Sequence, residues 1–402
     1  MGKKVVLIGA LDTKGPDFAF VREELTRRGH DTLTIDTSVV GEPHFVPDIP
    51  RTRVAEAGGT PIEELQKAGD KNLAMDVMTR GIAVVVGELH ARGIVAGVFS
   101  MGGTAATAIG TAAMRALPVG MPKMMVSTVA SGDVRPYVGI KDIVMFPSIV
   151  DVAGINSISA RIYANAAGAM AGMLETPPPA IQARPVVAAS MFGNTTPVVG
   201  RCREGLEARG YEVLVFHAVG TGGQTMESLV EDGYIAGVME ITPTEWADQL
   251  VGGVLAAGPE RMDAAAKKGI PQIVVPGCLD MVNFWAPETV PEKFAGRLFY
   301  HWNPNVTLMR TTPGENAGLG RIIAEKASQG QGRVAFFLPL RGVSMLDAPG
   351  KEFWWPEADQ ALYDAIKKHV RADIPVYELD YNINDPEFAD ALIEKFTELM
   401  NE

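Results

Sequence analysis

The sequence predicts an α/β protein with two lobes, each built on a mostly parallel, doubly wound sheet, related by internal duplication and facing each other across a cleft. Short apolar segments rich in β-branched residues alternate with helical segments along the chain. The pattern of the first half recurs in the second half. A proline-rich linker at residues 176–185 separates the halves. We therefore place the domains at residues 1–180 and 181–402.

The internal repeat is visible as identities. Residues 5–36 align without gaps with residues 186–217, and identical residues recur at Val5, Val6, Pro16, Arg22, Glu23, Leu25, Arg28, Gly29 and Leu33. Two shorter matches follow in the same order, at residues 93–98 with 233–238 and 120–126 with 269–275. Alternating strands and helices alone produce some chance identities. Three matches in one order favour a duplicated lobe.

The elements follow one another as this architecture requires. Residues 5–8 form a strand, Asp17 caps a helix that ends at Arg28, and residues 32–35 form the next strand. Residues 40–70 are rich in proline and glycine and predict a long irregular loop. Further strands are predicted at residues 95–99, 123–128, 143–145, 334–338 and 375–379, and helices at residues 70–91, 105–114, 156–173, 356–370 and 386–400.

Composition limits the class of protein. The chain has 402 residues, of which 47% are hydrophobic, so it is long enough for two or three well-buried domains. The net charge of −12, without a basic cluster, argues against nucleic acid or an anionic membrane as a direct partner. Two cysteines with neither metal-site spacing nor a disulfide framework fit a reducing compartment. With no signal peptide and no apolar run of about 20 residues, we expect a cytoplasmic protein without a membrane span.

A glycine turn at residues 100–104 follows one buried strand and precedes a helix. Gly102 and Gly103 let backbone N–H groups approach a ligand, and the positive end of the helix favours a phosphate or carboxylate. The turn matches neither the Walker pattern nor Gly-x-Gly-x-x-Gly, and simple strand–helix packing is the alternative. In the second half Glu240 stands in place of Ser100 and the paired glycines are absent. Packing therefore does not require them, which favours a ligand role in the first lobe.

The strand ends of the first lobe carry small, polar or glycine residues that this fold places on one rim. Lysine and hydroxyl groups suit phosphate, and aspartate suits a metal ion or a ribose. Taken singly, Asp12 and Lys14 also fit solvated loop residues. The predicted nucleotide-binding residues are Asp12, Thr13, Lys14, Asp36, Thr37, Ser38, Ser100, Gly102, Gly103, Thr104, Gly132 and Asp133. Asp12 and Asp133 are the candidate Mg²⁺ ligands.

Several motifs resemble one known family, and they lie at residues 8–14, 100–104, 132–139, 150–156, 301–305, 308–312 and 315–316. This is the ATP-binding domain family named after the N-terminal region of the tomato protein that confers resistance to tobamoviruses. The resemblance implies two Rossmann-like lobes, ATP and Mg²⁺ on the first lobe, and a homo-oligomer, in the simplest case a dimer. Larger members append a TIM-barrel domain, which makes a TIM-barrel protein a candidate partner. Ala10 replaces the threonine of the family motif, whereas Asp12, Thr13 and Lys14 match it.

The rim of the second lobe has a different chemistry. Its candidate catalytic residues are Glu240, Asp280, His301 and Arg310, and its candidate substrate-binding residues are His217, Gly222, Gly223, Asn303, Asn305 and Thr311. Arg310 would clamp a small anionic or polar substrate, with His301 or Glu240 as acid or base. His301 also fits a role in an aromatic cluster. Cys278 is either a nucleophile or a small loop residue.

Three functions fit these residues. The first is an ATP-dependent enzyme that performs phosphoryl transfer or acyl activation on a small metabolite when the lobes close. The second is a non-catalytic, ATP-sensing module that docks on a protein partner. The third is an isomerase or hydrolase that uses the second lobe alone and needs no nucleotide. The sequence names neither the substrate nor the acidic residue that holds Mg²⁺.

Overall fold

A computed structural model describes residues 2–177, 179–180, 183–330 and 333–402. The chain divides into two compact units, Met1–Ala180 and Ile181–Glu402, which coincide with the predicted domain ranges. Part of the predicted linker, at residues 178, 181 and 182, lies outside the described residues. Each unit has its own parallel sheet.

The N-terminal unit contains one five-stranded sheet in the order β2-β1-β3-β4-β5, with every neighbouring pair parallel. Its strands are β1 (Lys4–Gly9), β2 (Thr32–Asp36), β3 (Val95–Gly102), β4 (Lys123–Ser127) and β5 (Val144–Pro147). Its helices are α1 (Leu11–Arg27), α2 (Arg51–Ala57), α3 (Ile62–Ala68), α4 (Lys71–Ala91), α5 (Thr104–Arg115), α6 (Arg135–Val138) and α7 (Ser157–Glu175). Along β1, Val6 and Ile8 enter one core cluster whereas Val5 and Leu7 enter another, so both faces of the sheet are covered.

The C-terminal unit contains a six-stranded parallel sheet in the order β14-β13-β9-β8-β6-β7. Its strands are β6 (Val186–Met191), β7 (Glu212–His217), β8 (Gly237–Glu240), β9 (Gln272–Val274), β10 (Met281–Phe284), β11 (Phe299–Asn303), β12 (Val306–Arg310), β13 (Val334–Pro339) and β14 (Val376–Leu379). Its helices are α8 (Thr196–Glu207), α9 (Thr221–Glu231), α10 (Glu245–Val251), α11 (Asp263–Lys268), α12 (Pro313–Ala327), α13 (Pro356–His369) and α14 (Pro386–Asn401). Across the described ranges of both units, no helix combines the length and the apolar character that crossing a bilayer requires.

The two sheets share a strand order. The order β2-β1-β3-β4 in the N-terminal unit corresponds to β7-β6-β8-β9 in the C-terminal unit. The predicted fold class, an α/β protein with two Rossmann-like lobes, is therefore confirmed. A three-stranded antiparallel sheet, ordered β10-β12-β11, is an addition in the C-terminal unit that the sequence did not predict.

The first helix differs from its prediction. It starts at Leu11, six residues before the expected cap at Asp17, so that residues 12–14 lie in its first turn. Asp17 is buried within the helix, where it accepts hydrogen bonds from the Gly154 N–H and the Tyr163 hydroxyl, each at 3.1 Å. Pro16 lies inside the helix. The prediction of a helix cap at Asp17 was wrong because a tertiary contact, not local capping, uses this carboxylate.

The predicted irregular loop at residues 40–70 contains two short helices, α2 and α3. Pro50 and Pro61 immediately precede them, and Gly58 and Gly69 follow them. Proline before a helix and glycine after one are boundary signals. The irregular chain is consequently confined to a shorter stretch after β2.

Candidate functional site

Two helices of the N-terminal unit begin at the carboxyl edge of its sheet, and the first is capped by a carboxylate. The Leu11 N–H at the start of α1 donates to the buried Asp36 side chain at 3.1 Å. The backbone N–H and the hydroxyl of Ser38 also donate to this carboxylate, at 2.9 and 2.7 Å. The protein itself therefore supplies the negative charge that the positive end of α1 attracts.

The start of α5 is different. Gly103, a residue without a side chain, occupies the cap position and therefore supplies no side-chain acceptor. Gly102 has a φ of 148°, and a Cβ added to it would lie 2.5 Å from the Cβ of Ala106. A Cβ on Gly103 would meet only the Thr128 hydroxyl oxygen, at 3.8 Å. Gly102 thus permits the tight turn, whereas Gly103 leaves open space at the positive end of the helix.

A polar cavity of about 340 Å³ lies at the ends of β4 and β5, and we call it the hydroxyl pocket. It is lined by Ser127, Thr128, Ser131, Pro147, Ser148, Ile149, Val150 and Asp151. The Ser127 hydroxyl lies 2.7 Å from the Thr107 hydroxyl, which connects the wall of the pocket to α5. Thr128 and Ser131 are exposed. The open end of α5 therefore borders a group of hydroxyls.

Other predicted nucleotide-binding residues lie along the same strand ends. Lys14 is half-buried, and its ammonium group forms no ion pair with the described residues. One oxygen of Asp12 accepts the Gly41 N–H at 3.0 Å. The buried Ser100 hydroxyl donates to the Ile8 carbonyl at 2.8 Å, so it connects two strands. The remaining neighbours are Thr13, which is exposed, Thr37, which is buried, and Thr104, which begins α5.

The candidate metal ligands are engaged by the protein or exposed. Gly132 and Asp133 lie in the exposed loop after β4, and the Asp133 carboxylate accepts two hydrogen bonds from the Arg135 side chain, at 2.9 and 2.8 Å. This contact lowers the pKa of Asp133 to about 2. Within the described ranges, no three acidic, histidine or cysteine side chains form a cluster that could hold a metal ion. Magnesium that arrives with a nucleotide needs only one or two carboxylates, because phosphates and waters complete its shell.

The C-terminal unit contains a different cavity, of about 470 Å³, which we call the aromatic pocket. It lies at the ends of β6 and β7, against the antiparallel sheet, and is lined by Phe192, Gly193, Asn194, His217, Val219, Val254, Leu255, Asn283, Phe284, Trp285, Trp302, Asn303, Val306 and Leu308. None of these side chains is acidic, lysine or arginine. Partial burial lowers the pKa of His217, which favours its neutral form. Of the predicted second-lobe residues, His217 and Asn303 line this pocket.

Glu240, Gly222 and Gly223 belong to a buried region instead. Both oxygens of Glu240 accept hydrogen bonds from Arg261, at 2.6 and 2.7 Å, and Arg261 also contacts Glu245 at 2.7 Å. Glu245 accepts the Gly223 N–H at 3.1 Å, and a Cβ on Gly222 would collide with a backbone carbonyl at 1.8 Å. These glycines therefore allow close packing at the start of α9. The structure does not leave Glu240 open to solvent as an acid or base.

Arg310, Asp280 and Thr311 form part of a second buried cluster. Arg310 donates to Asp359 at 2.7 Å and to the Phe353 carbonyl at 2.8 Å, and it is 1% exposed. Its donors are thus directed at protein acceptors, in contrast to the predicted substrate clamp. The Thr311 hydroxyl donates to the Leu279 carbonyl at 2.8 Å. Burial, together with the neighbouring Asp347, raises the pKa of Asp280 to about 7.

His301, Asn305 and Cys278 also lie away from the aromatic pocket. His301 is exposed on β11 and lines a shallow cavity of about 220 Å³ with Phe299. The next residue, Trp302, lines the aromatic pocket, as expected when successive side chains of a strand alternate between faces. Asn305 is exposed in the turn after β11. Cys278 is buried, which raises the pKa of its thiol well above the usual range and disfavours the nucleophilic thiolate.

Sequence reasoning missed the residues that give each pocket its character. In the hydroxyl pocket these include Thr128 and Asp151, which follow the ends of β4 and β5. In the aromatic pocket they include Asn194, Asn283 and Trp302. Asn194 lies three residues after the end of β6 and was detectable as a residue of the strand-end loop. The other two lie on the antiparallel sheet, whose contribution depends on contacts that the repeat does not predict.

Comparisons with known proteins cover the whole chain. Residues 3–179 match the N-terminal domain of the uncharacterised protein family UPF0261, and residues 184–400 match its C-terminal domain. A UPF0261 protein of Clostridium tetani is 49% identical over 402 residues, 100% of both chains. One from Rhizobium meliloti is 43% identical over 99% of this chain and 100% of its own.

A plant relative is longer than this chain. The ToMV resistance protein Tm-1 of Solanum lycopersicum is 43% identical over 339 residues, which are 82% of this chain and 45% of the tomato protein. A solved UDP-N-acetylglucosamine 2-epimerase from Rickettsia bellii aligns over 68% of this chain and 79% of its own, with 10% identity and a TM-score of 0.24. With both domain models matched in order and relatives aligned from end to end, the chain belongs to the UPF0261 family.

Proposed function

We propose that the N-terminal unit binds ATP with Mg²⁺ and that the protein is an ATP-dependent enzyme acting on a small molecule. The observation that carries the proposal is the contrast between the two helix starts on one sheet edge. The Leu11 N–H at the start of α1 donates to Asp36, whereas α5 begins at Gly103, which has no side chain and leaves open space there. A phosphate group is the ligand that such a helix start favours.

The surrounding residues fit a nucleotide triphosphate. Lys14 offers a cation without an ion pair among the described residues, and Thr128 and Ser131 offer hydroxyl donors. Asp151 offers an exposed carboxylate beside these hydroxyls, as a further candidate Mg²⁺ ligand to set beside Asp12 and Asp133. Bound Mg²⁺ would neutralise phosphate charge during phosphoryl or acyl-activating transfer. The chain's own contribution is to bind and orient the phosphates.

Binding and turnover can be tested with one substitution. Gly103 has an extended backbone, so Gly103→Val places a side chain in the open space without strain at φ. We expect calorimetry to show Mg-ATP binding to the unaltered protein and at least ~10-fold weaker binding to Gly103→Val. Gly87→Val is the matched control, because a Cβ on Gly87 in α4 meets no atom within 4 Å. Equal affinity in all three proteins would refute the site.

Turnover distinguishes the enzyme from the sensing module. ADP or AMP released in the presence of a metabolite mixture supports the enzyme, and the product separates phosphoryl transfer from adenylation. Binding without release of either product supports an ATP-sensing module that docks on a protein. Activity that Gly103→Val leaves unchanged would point to nucleotide-independent chemistry in the C-terminal unit.

We further propose that the protein acts in the cytoplasm as a homodimer. The two cysteines are buried and unpaired in the structure, which fits a reducing compartment. Light scattering coupled to size exclusion, with and without Mg-ATP, measures the oligomeric state directly. A mass of one chain, 42.9 kDa, under both conditions would refute the dimer.

A further inference from the structure

We infer that the aromatic pocket binds a neutral, planar heteroaromatic molecule that donates hydrogen bonds from its edge. The pocket is defined entirely by residues of the C-terminal unit. The inference therefore does not depend on nucleotide binding by the N-terminal unit. Its volume of about 470 Å³ lies within the range of small-molecule sites.

Two buried asparagines line the pocket with unused hydrogen-bonding capacity. Asn194 and Asn283 are each 1% exposed, and the side-chain oxygen of each has no hydrogen-bond partner among the described residues. A buried carbonyl oxygen without a donor has lost the hydrogen bonds that it makes in water and gained none in exchange. A ligand that supplies N–H or O–H donors would satisfy both oxygens.

The orientation of one carboxamide is fixed by its neighbours. The side-chain nitrogen of Asn283 donates to Asp248 at 2.7 Å, and its backbone N–H donates to the other oxygen of Asp248 at 2.9 Å. This arrangement leaves the Asn283 side-chain oxygen as the acceptor available to a partner. Asn194 is held through its backbone, whose carbonyl accepts the Asn384 side-chain nitrogen at 3.0 Å, and its side-chain nitrogen makes only a long contact to the Met281 sulfur.

The other walls select for a flat and uncharged ligand. The rings of Phe192 and His217 lie 5.4 Å apart at an angle of 54°, and Trp285 and Trp302 are 50% and 43% exposed. Exposed indole faces stack on planar ligands. With no acidic, lysine or arginine side chain in the lining, a charged ligand would lose its hydration without gaining an ionic partner. The predicted small anionic substrate does not fit this pocket.

The test uses three matched probes with the full-length protein. Benzimidazolinone is planar, neutral and carries two N–H donors. Its N,N′-dimethyl analogue keeps the ring and lacks the donors, and its ring carboxylate adds a negative charge. Saturation-transfer NMR and calorimetry measure binding. We expect benzimidazolinone to bind and each analogue to bind at least ~10-fold more weakly. No binding of benzimidazolinone, or equal binding of either analogue, would overturn the inference.

Two variants assign the binding to this pocket. Asn194→Leu removes one acceptor. Gly193→Leu fills the pocket, because a Cβ at this position would meet only the Trp302 ring, at 3.7 Å. We expect both to reduce benzimidazolinone affinity at least ~10-fold, whereas Gly200→Leu, where a Cβ meets no atom within 4 Å, leaves it unchanged. Should Asn194→Leu fail to fold, Gly193→Leu alone decides. Unchanged affinity in Gly193→Leu, or displacement of the probe by ATP, would refute the assignment.

Discussion

Asp280, Asp347 and Asp359 surround the guanidinium group of Arg310 in the interior of the C-terminal unit. Arg310 lies 2.7 Å from Asp359 and 3.5 Å from Asp347, and the Asp280 carboxylate accepts the Ser344 hydroxyl at 2.8 Å. Burial, followed by the charge of Asp347, raises the pKa of Asp359 to about 8 and that of Asp280 to about 7. One positive charge does not balance three buried negative charges, so the folded protein retains protons here at pH values where the unfolded chain has lost them.

This retention predicts a pH dependence of stability. The pKa of Asp280 is raised from 3.8 in the unfolded chain to about 7 in the folded protein. The stability that protonated Asp280 adds to the free energy of unfolding is therefore complete below about pH 4 and is lost as the pH rises through 7. Asp280→Asn mimics the protonated acid at every pH. Between pH 5 and 7 we expect the variant's free energy of unfolding to fall less steeply than that of the unaltered protein, by up to ~1.4 kcal/mol per pH unit. Urea denaturation measures these free energies, and equal slopes against pH in the two proteins would contradict the prediction that Asp280 is protonated.

At the scale of elements, two adjacent glycines at the start of α5 have separate roles. Gly102 ends β3 in a conformation that side chains rarely adopt and lies against Ala106. Gly103 caps the helix in an extended conformation with open space around it. One glycine is therefore required by the fold, and the other is available to a ligand.

Alanine substitutions separate these roles. Gly102→Ala combines an unfavourable φ with a contact of 2.5 Å to the Ala106 Cβ, and we expect it to lower the free energy of unfolding by about 2–4 kcal/mol. Gly103→Ala only replaces a residue type that helix caps prefer, and we expect it to lower the free energy of unfolding by about 0.5–1 kcal/mol. Chemical denaturation measures both values. A larger loss at Gly103 than at Gly102 would show that the roles are reversed.

At the scale of the whole molecule, each unit has hydrophobic core clusters of its own. Within the described residues, two such clusters belong to the N-terminal unit and four to the C-terminal unit. Both units have the size of ordinary independent domains. A domain with its own core carries the main favourable contribution to its folding within its own sequence.

We therefore expect residues 1–180 and 181–402 to fold as separate proteins. Each fragment should unfold cooperatively on heating, with the circular dichroism of an α/β protein. If residues 1–180 stay unfolded without residues 181–402, the core clusters are not sufficient for folding.

Local pattern predicted most of the fold. The β1–α1–β2 unit and its repeat in the second half follow from apolar periodicity, which both units share. The start of α1 depends on Asp36, 25 residues away, and is invisible to local pattern. The interior positions of Arg310 and Glu240 were missed for a related reason. The sequence does not distinguish a charged strand-end residue that faces solvent from one that pairs with a buried partner such as Asp359 or Arg261.

The Glu240–Arg261 contact has a consequence for the history of the duplicated fold. Glu240 ends β8, the counterpart of β3 in the N-terminal unit, and its carboxylate is already paired with Arg261. An ancestral lobe that bound anions through its strand ends would lose that capacity once an internal ion pair filled the position. In the C-terminal unit an anion at the end of β8 would have to displace Glu240 from Arg261, so this strand end is closed to anionic ligands.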